Sequence, residues 1–199
     1  MSSPRHTRAR TGAYRFSRLA FWCIRLMHDN ALVHLFRNPH QILAGMGVRA
    51  GMQVLEVGCG SGFFTIPAAE TVGPSGRLTA LDVNPYAVEH VRQRLARHRI
   101  DNAEALHANV MHAGLPEQSY DLAFFIGVPR IAGGLGAVAK ELRRILKPSG
   151  RIAFHAGRLS LTDLTKRLEC EGFDLLEARG RVGFFAASTC APARRGNAP

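Results

Sequence analysis

The sequence predicts an α/β domain: a doubly wound, mostly parallel seven-stranded sheet with helices on both faces and an antiparallel hairpin at its C-terminal end. Three observations predict it. From residue 52 onward, short β-branched and apolar runs alternate with stretches of helical periodicity. Residues 120–126 are almost wholly apolar, as expected of a strand covered on both faces. The last two strand-like runs are joined too tightly for a helical crossover, so they pair as a hairpin.

The elements follow in order. Apolar residues Leu19, Trp22, Cys23, Leu26, Met27, Leu32, Leu35 and Phe36 fall near helical spacing, with Asn38-Pro39 as a stop. This predicts one or two N-terminal helices packed over the core. A strand at 52–57 runs into glycines, a helix covers 62–72, and Gly73-Pro74-Ser75-Gly76 turns the chain. A second strand spans 77–82, a second helix 85–99, and a third strand 102–108. The fourth strand, 120–126, precedes a helix at 137–146 that Lys147-Pro148-Ser149-Gly150 stops. A fifth strand at 151–155, a helix at 161–170 and strands at 175–179 and 182–188 complete the series. Repeated strand–helix units of this length force parallel neighbours with right-handed crossovers.

At 199 residues the chain has room for one well-buried domain. We divide it into a basic flexible N-terminus (1–18), a helical cap (19–46), a ligand-binding domain (47–190) and a disordered tail (191–199). Hydrophobic residues make up 46% and charged residues 21%, ordinary for a water-exposed globular domain. No run approaches the ~20 apolar residues a membrane-spanning helix needs.

The net charge of +11 suggests nucleic acid until it is located. Residues 1–28 hold six Arg and no acid, and 179–199 hold four Arg and no acid, while 29–178 carry sixteen bases against fifteen acids. Gripping a phosphate backbone needs a fixed basic face, and the folded middle is nearly neutral. Nucleic acid is therefore not the expected partner.

Four widely spaced cysteines form no Cys-x-x-Cys pair and no zinc spacing, which excludes a disulfide framework and a metal site and fits a reducing compartment. A cytoplasmic location is expected. The Arg-rich, acid-free start also has the character of an organelle transit peptide, in which case the location is a mitochondrial or plastid matrix.

The most informative segment is Val54-Leu55-Glu56-Val57-Gly58-Cys59-Gly60-Ser61-Gly62-Phe63-Phe64-Thr65. A buried strand enters alternate glycines and then a helix, so a ligand can lie against backbone that carries no Cβ. A dinucleotide loop would need its third glycine where Phe63 stands, and its pyrophosphate would be repelled by Glu56. A ligand bearing an ammonium and a sulfonium suits Glu56 better.

About twenty residues on, Asp82 ends the second strand in Leu81-Asp82-Val83-Asn84-Pro85, placed to accept from both ribose hydroxyls. Capping of the next helix is the competing role for Asp82, and Asn84 before Pro85 can fill that role instead.

Glu56-Val57-Gly58-Cys59-Gly60-Ser61-Gly62, Leu81-Asp82-Val83-Asn84, Leu115-Pro116-Glu117-Gln118-Ser119-Tyr120-Asp121 and the run 142–151 together resemble the successive landmarks of the class I S-adenosylmethionine (SAM)-dependent methyltransferases. The likeness covers about residues 50–155 and is to the small-molecule group that includes quinone-biosynthesis enzymes, with a Rossmann-like fold. It implies that Glu56, Gly58, Cys59, Gly60 and Gly62 surround the methionine part of SAM. Asp82 would hold the ribose, Val83 the adenine face, Asn109 and Val110 the adenine edge, and Ile126 and Gly127 would lie under the sulfonium end. The family usually has an acid where this chain has Asn109, whose amide can still accept.

The resemblance implies methyl transfer to a small-molecule or lipid-like acceptor, with no metal and with the N-terminal helices covering the acceptor pocket. Two other functions stay open: a SAM-binding module without catalysis, motivated by the plain loop Gly127-Val128-Pro129-Arg130, and an RNA methyltransferase docking through its basic ends. No catalytic residue is assigned. His155, at the end of the fifth strand, is the one candidate base. His28 and Asp29 read as a helix end, His107 and His112 as loop residues, and Cys59 as a small side chain that fits its loop. Oligomeric state and the methylated atom are not readable.

Overall fold

The computed structural model describes residues 38–127, 134–156 and 160–188. The expectations for the helices at 19–36, for Val128-Pro129-Arg130 and for the tail lie outside the described residues.

The predicted architecture is what forms. The chain runs α1 (Pro39–Gly45), β1 (Gln53–Val57), α2 (Thr65–Val72), β2 (Arg77–Asp82), α3 (Pro85–Arg97) and β3 (Ala103–His107). After a short 3-10 turn (Val110–His112) come β4 (Tyr120–Phe125), α4 (Leu135–Ile145), β5 (Leu146–His155), α5 (Leu161–Glu169), β6 (Phe173–Arg179) and β7 (Val182–Ala187). The strands form one seven-stranded sheet in the order β3-β2-β1-β4-β5-β7-β6. Strands β1 to β5 pair in parallel, whereas β7 is antiparallel to both β5 and β6.

Alternation along the strands assigns the two faces. Val54, Leu78, Leu122, Phe124 and Ala153 pack on one side with Leu43 and Met46 and with Ala68, Ala69 and Val72 of α2. Leu55, Leu81, Ala123, Phe125, Ile152 and Phe154 pack on the other with Val138 and Leu142 of α4 and Leu164 of α5. A third cluster joins Val88, Val91 and Leu95 of α3 to Ala80 and Ala105. Both sheet faces are thereby covered, which is why the inner strands carry unbroken apolar runs.

Two local readings need correction. Asn38-Pro39 opens α1, a helix not foreseen: the Asn38 side chain accepts from the backbone N–H of His40 and Gln41, and Pro39 occupies the first turn. Helix α2 begins at Thr65, three residues later than predicted, because Gly60 and Gly62 hold φ of +52° and +76°, outside the helical range. Lys147-Pro148-Ser149-Gly150 follows the end of α4 as expected, but it belongs to β5, which begins at Leu146, five residues earlier than predicted. Tyr120 pairs with Leu146 ahead of a register shift, and a Cβ on Gly150 would lie 2.8 Å from the Tyr120 carbonyl.

Strand β1 sits between β2 and β4, where the order of connection reverses. Its carboxyl end therefore opens into the crevice that open α/β sheets offer to ligands.

Candidate functional site

The chain leaves β1 through a loop tied down at every turn. The N–H groups of Gly58 and Cys59 both donate to the Leu81 carbonyl, at 2.8 and 2.9 Å, and Gly62 N–H donates to the Cys59 carbonyl at 2.8 Å. Gly58, Gly60 and Gly62 all have positive φ, a conformation that costs an L-residue about 1–2 kcal/mol.

The glycines serve different purposes. A Cβ on Gly60 would meet nothing within 4 Å, so this backbone faces open space. A Cβ on Gly62 would lie 2.9 Å from Val91 Cγ2, so Gly62 admits helix α3 behind the loop. Gly62→Ala is accordingly expected to destabilise the fold by about 1–3 kcal/mol, measured by urea unfolding. Gly60→Ala is expected to cost less stability and to weaken ligand binding more.

Asp82 closes the loop from the neighbouring strand. Its Oδ2 accepts from Gly60 N–H and its Oδ1 from Asn84 N–H, both at 2.8 Å. A carboxylate has about four lone-pair sites, so acceptor capacity remains. Asn84, whose side chain accepts from Tyr86 N–H, caps α3, so Asp82 is not needed for that task. Burial raises the Asp82 pKa, opposed by the backbone N–H groups of Asn84, Gly60 and Val83 and by His107.

Glu56 is 3% exposed, beneath the same loop, and its Oε2 accepts from Thr65 Oγ1 at 2.6 Å. Burial lifts its pKa to about 8; the Thr65 hydroxyl opposes this and the Asp82 charge adds to it. Among the described residues no cation lies against it. Glu56 thus holds a proton at neutral pH, and a cation brought beside it would favour the carboxylate.

The other expected site residues divide. Val83, half-buried, follows Asp82, and its carbonyl lies 3.1 Å from His107 Nε2, which donates in the Nε2–H tautomer. Asn109 Oδ1 accepts from Met111 N–H and caps the 3-10 turn. The Val110 side chain is buried in the core, which leaves its backbone for any ligand contact. Ile126 is half-buried at the end of β4, and a Cβ on Gly127 would meet nothing within 4 Å. The Cys59 side chain packs with Ile66, Ala80 and Val91, and burial holds its thiol well above the usual range, so it is not a nucleophile. His155 ends β5 opposite Val182, two strands away from β1.

Sequence reasoning missed Thr65, His107 and Arg94. Thr65 carried one signal, a hydroxyl at the start of a helix beside a buried acid. Arg94 carried none: its Nη1 donates to the Ser61 carbonyl at 3.0 Å from 33 residues away. A separate cleft of about 360 Å³ between α4 and α5, lined by Leu135, Gly136, Lys166, Arg167, Cys170 and Glu171, shares no residue with the glycine loop.

The arrangement fits an adenosyl sulfonium. Gly60 offers the bare backbone a Cβ would obstruct, Asp82 offers acceptors for ribose hydroxyls, and Glu56 is a buried acid with no cation against it among the described residues. Among the described residues no group of His, Cys, Asp and Glu is placed to hold a metal.

A model of the methyltransferase domain matches residues 49–178. Demethylmenaquinone methyltransferase of Listeria monocytogenes serotype 4a is 32% identical over 109 residues, covering 54% of this chain and 46% of that protein. The enzyme of the same name from Staphylococcus aureus strain JH9 is 31% identical over 113 residues, 56% of this chain and 46% of its own. The chain thus aligns with about half the length of these curated relatives. A SAM-dependent methyltransferase from Aquifex aeolicus shares the fold, with a TM-score of 0.74 at 22% identity over 86% of this chain and 98% of that one.

Proposed function

Because the chain belongs to the class I SAM-dependent methyltransferase family, we propose that it transfers a methyl group from SAM to a small-molecule or lipid-like acceptor. The observation that carries this reading is the open backbone at Gly60 held directly against the Asp82 carboxylate, at the carboxyl edge where the sheet order reverses. When bound, SAM supplies a methyl group made electrophilic by its sulfonium. The chain's own residues bind and orient. Asp82 accepts from the ribose hydroxyls, Glu56 gives up its proton as a cation arrives, and Gly60 lets the ligand lie close. Transfer from a sulfonium disperses charge, so alignment in a dry site supplies much of the acceleration and a dedicated base is required only for a weakly acidic acceptor. For an acceptor hydroxyl, we assign His155 that proton.

The relatives named for demethylmenaquinone support a quinone-like, lipid-soluble acceptor. Among the described residues no helix is long and apolar enough to cross a membrane. We place the enzyme in the cytoplasm, or in an organelle matrix if the Arg-rich start directs import.

Incubation with methyl-labelled SAM and either demethylmenaquinone or an apolar cell extract is the direct test. Label is expected in the organic phase together with stoichiometric S-adenosylhomocysteine. Binding of SAM without turnover on any extract would reduce the protein to a SAM-binding module, and label in RNA instead would make nucleic acid the acceptor.

A further inference from the structure

We infer that Arg94 is a positioning residue for the cofactor loop, acting from helix α3 through the Ser61 carbonyl. The inference rests on the reading of that loop as the SAM site. Ser61 is 4% exposed, and its carbonyl is turned back from the open side of the loop toward α3, where Arg94 Nη1 meets it at 3.0 Å. One turn before Arg94, on the same face of α3, Val91 lies where a Cβ on Gly62 would stand, and Arg94 Nη1 is 3.7 Å from that point. The helix therefore holds the loop from behind at two successive residues, by packing at Gly62 and by a charge-assisted hydrogen bond at Ser61.

On the front, Gly60 N–H is held by Asp82 Oδ2 at 2.8 Å. Asp82 also accepts from Asn84 N–H, and Asn84 caps the N-terminus of α3. Both ends of the helix face thus converge on residues 60–62: the N-terminus through Asp82, the third turn through Arg94. Gly60 presents its open side only while residues 60–62 keep this path. Releasing Ser61 leaves one side of the Ser61–Gly62 peptide held only by Gly62 N–H on the Cys59 carbonyl and its buried carbonyl short of a donor, which the loop relieves by moving. Arg94 touches neither SAM nor acceptor in this account. It sets where the touching backbone lies.

Arg92 provides an internal control. It leaves the same helix, and its Nε donates to the Ala105 carbonyl at 2.9 Å, on strand β3 and away from the loop. Arg94→Ala is expected to weaken S-adenosylhomocysteine binding about tenfold by calorimetry, while Arg92→Ala changes it less than about twofold at a similar loss of thermal stability. Arg94→Lys keeps a cation with a single directional contact, and it is expected to recover part of the affinity. Amide exchange by NMR reads the same loop without any ligand: Gly60 and Gly62 exchange faster in Arg94→Ala or Arg94→Lys and unchanged in Arg92→Ala. Equal binding losses in both alanine variants, a lysine no better than alanine, or unchanged loop exchange overturns the inference. Wild-type protein that does not bind the nucleoside overturns the site reading, while the exchange experiment still judges the role of Arg94.

Discussion

Asp82→Ala is expected to weaken SAM binding by roughly 2 kcal/mol or more, about thirty-fold in dissociation constant, by titration calorimetry. The size follows from two losses at one residue. The ribose loses a charged acceptor, and Gly60 N–H loses the Oδ2 that holds it at 2.8 Å, so ligand contact and loop geometry fail together. Asn84 N–H loses its Oδ1 partner as well, but Asn84 still caps α3, and a folded variant is expected. Asp82→Asn should fall between the two. Its amide can accept from one backbone N–H while its NH2 opposes the other. Unchanged affinity in Asp82→Ala removes this residue from the site.

SAM binding is expected to release a proton near neutral pH, with Glu56 as its source. The acid is buried, its pKa stands at about 8 against an ordinary 4.5, and a cation beside it favours the carboxylate. Affinity therefore rises with pH by up to about tenfold per unit on the approach to 8 and levels above it. The binding enthalpy varies between buffers of different ionisation enthalpy. Stability runs the opposite way. Between pH 4.5 and about 8 the folded protein keeps a proton that the unfolded chain has shed, so this group's contribution falls as pH rises through that window. Glu56→Gln retains an acceptor for Thr65 and cannot ionise. Its melting temperature should gain on the wild type between pH 5 and 9, and its SAM affinity should lose the slope with pH. A wild-type enthalpy identical in all buffers contradicts the assignment.

What was legible in the sequence was local. Glu56, Gly58, Gly60 and Gly62 lie within seven residues, and their type restricts the backbone directly; Asp82 stands at a strand end that the apolar pattern marks. The alternation of strands and helices likewise yields the mostly parallel, doubly wound sheet, because crossovers of that length leave few ways to connect.

The illegible part was set by contacts across the chain. Asn38-Pro39 also opens α1, which the local pattern did not announce and which burial of Leu43 and Met46 fixes. Lys147-Pro148-Ser149-Gly150 carries strong local turn signals, yet pairing of Leu146 with Tyr120 draws it into β5. The spacing of Gly62 from Gly60 does not announce that Val91, 29 positions on, packs against Gly62. No reading of Ser61 alone announces Arg94, nor of Val83 alone His107, since both bonds are made between elements.

The central claim is that adenosyl binding occurs at the carboxyl edge of β1 and β2. A crystal structure of the complex with S-adenosylhomocysteine tests it most directly. The account predicts ribose hydroxyls on the Asp82 carboxylate and the amino-acid portion against Gly60, above Glu56. A nucleoside seated in the cleft between α4 and α5, or crystals that take up none at saturating concentration, would contradict it.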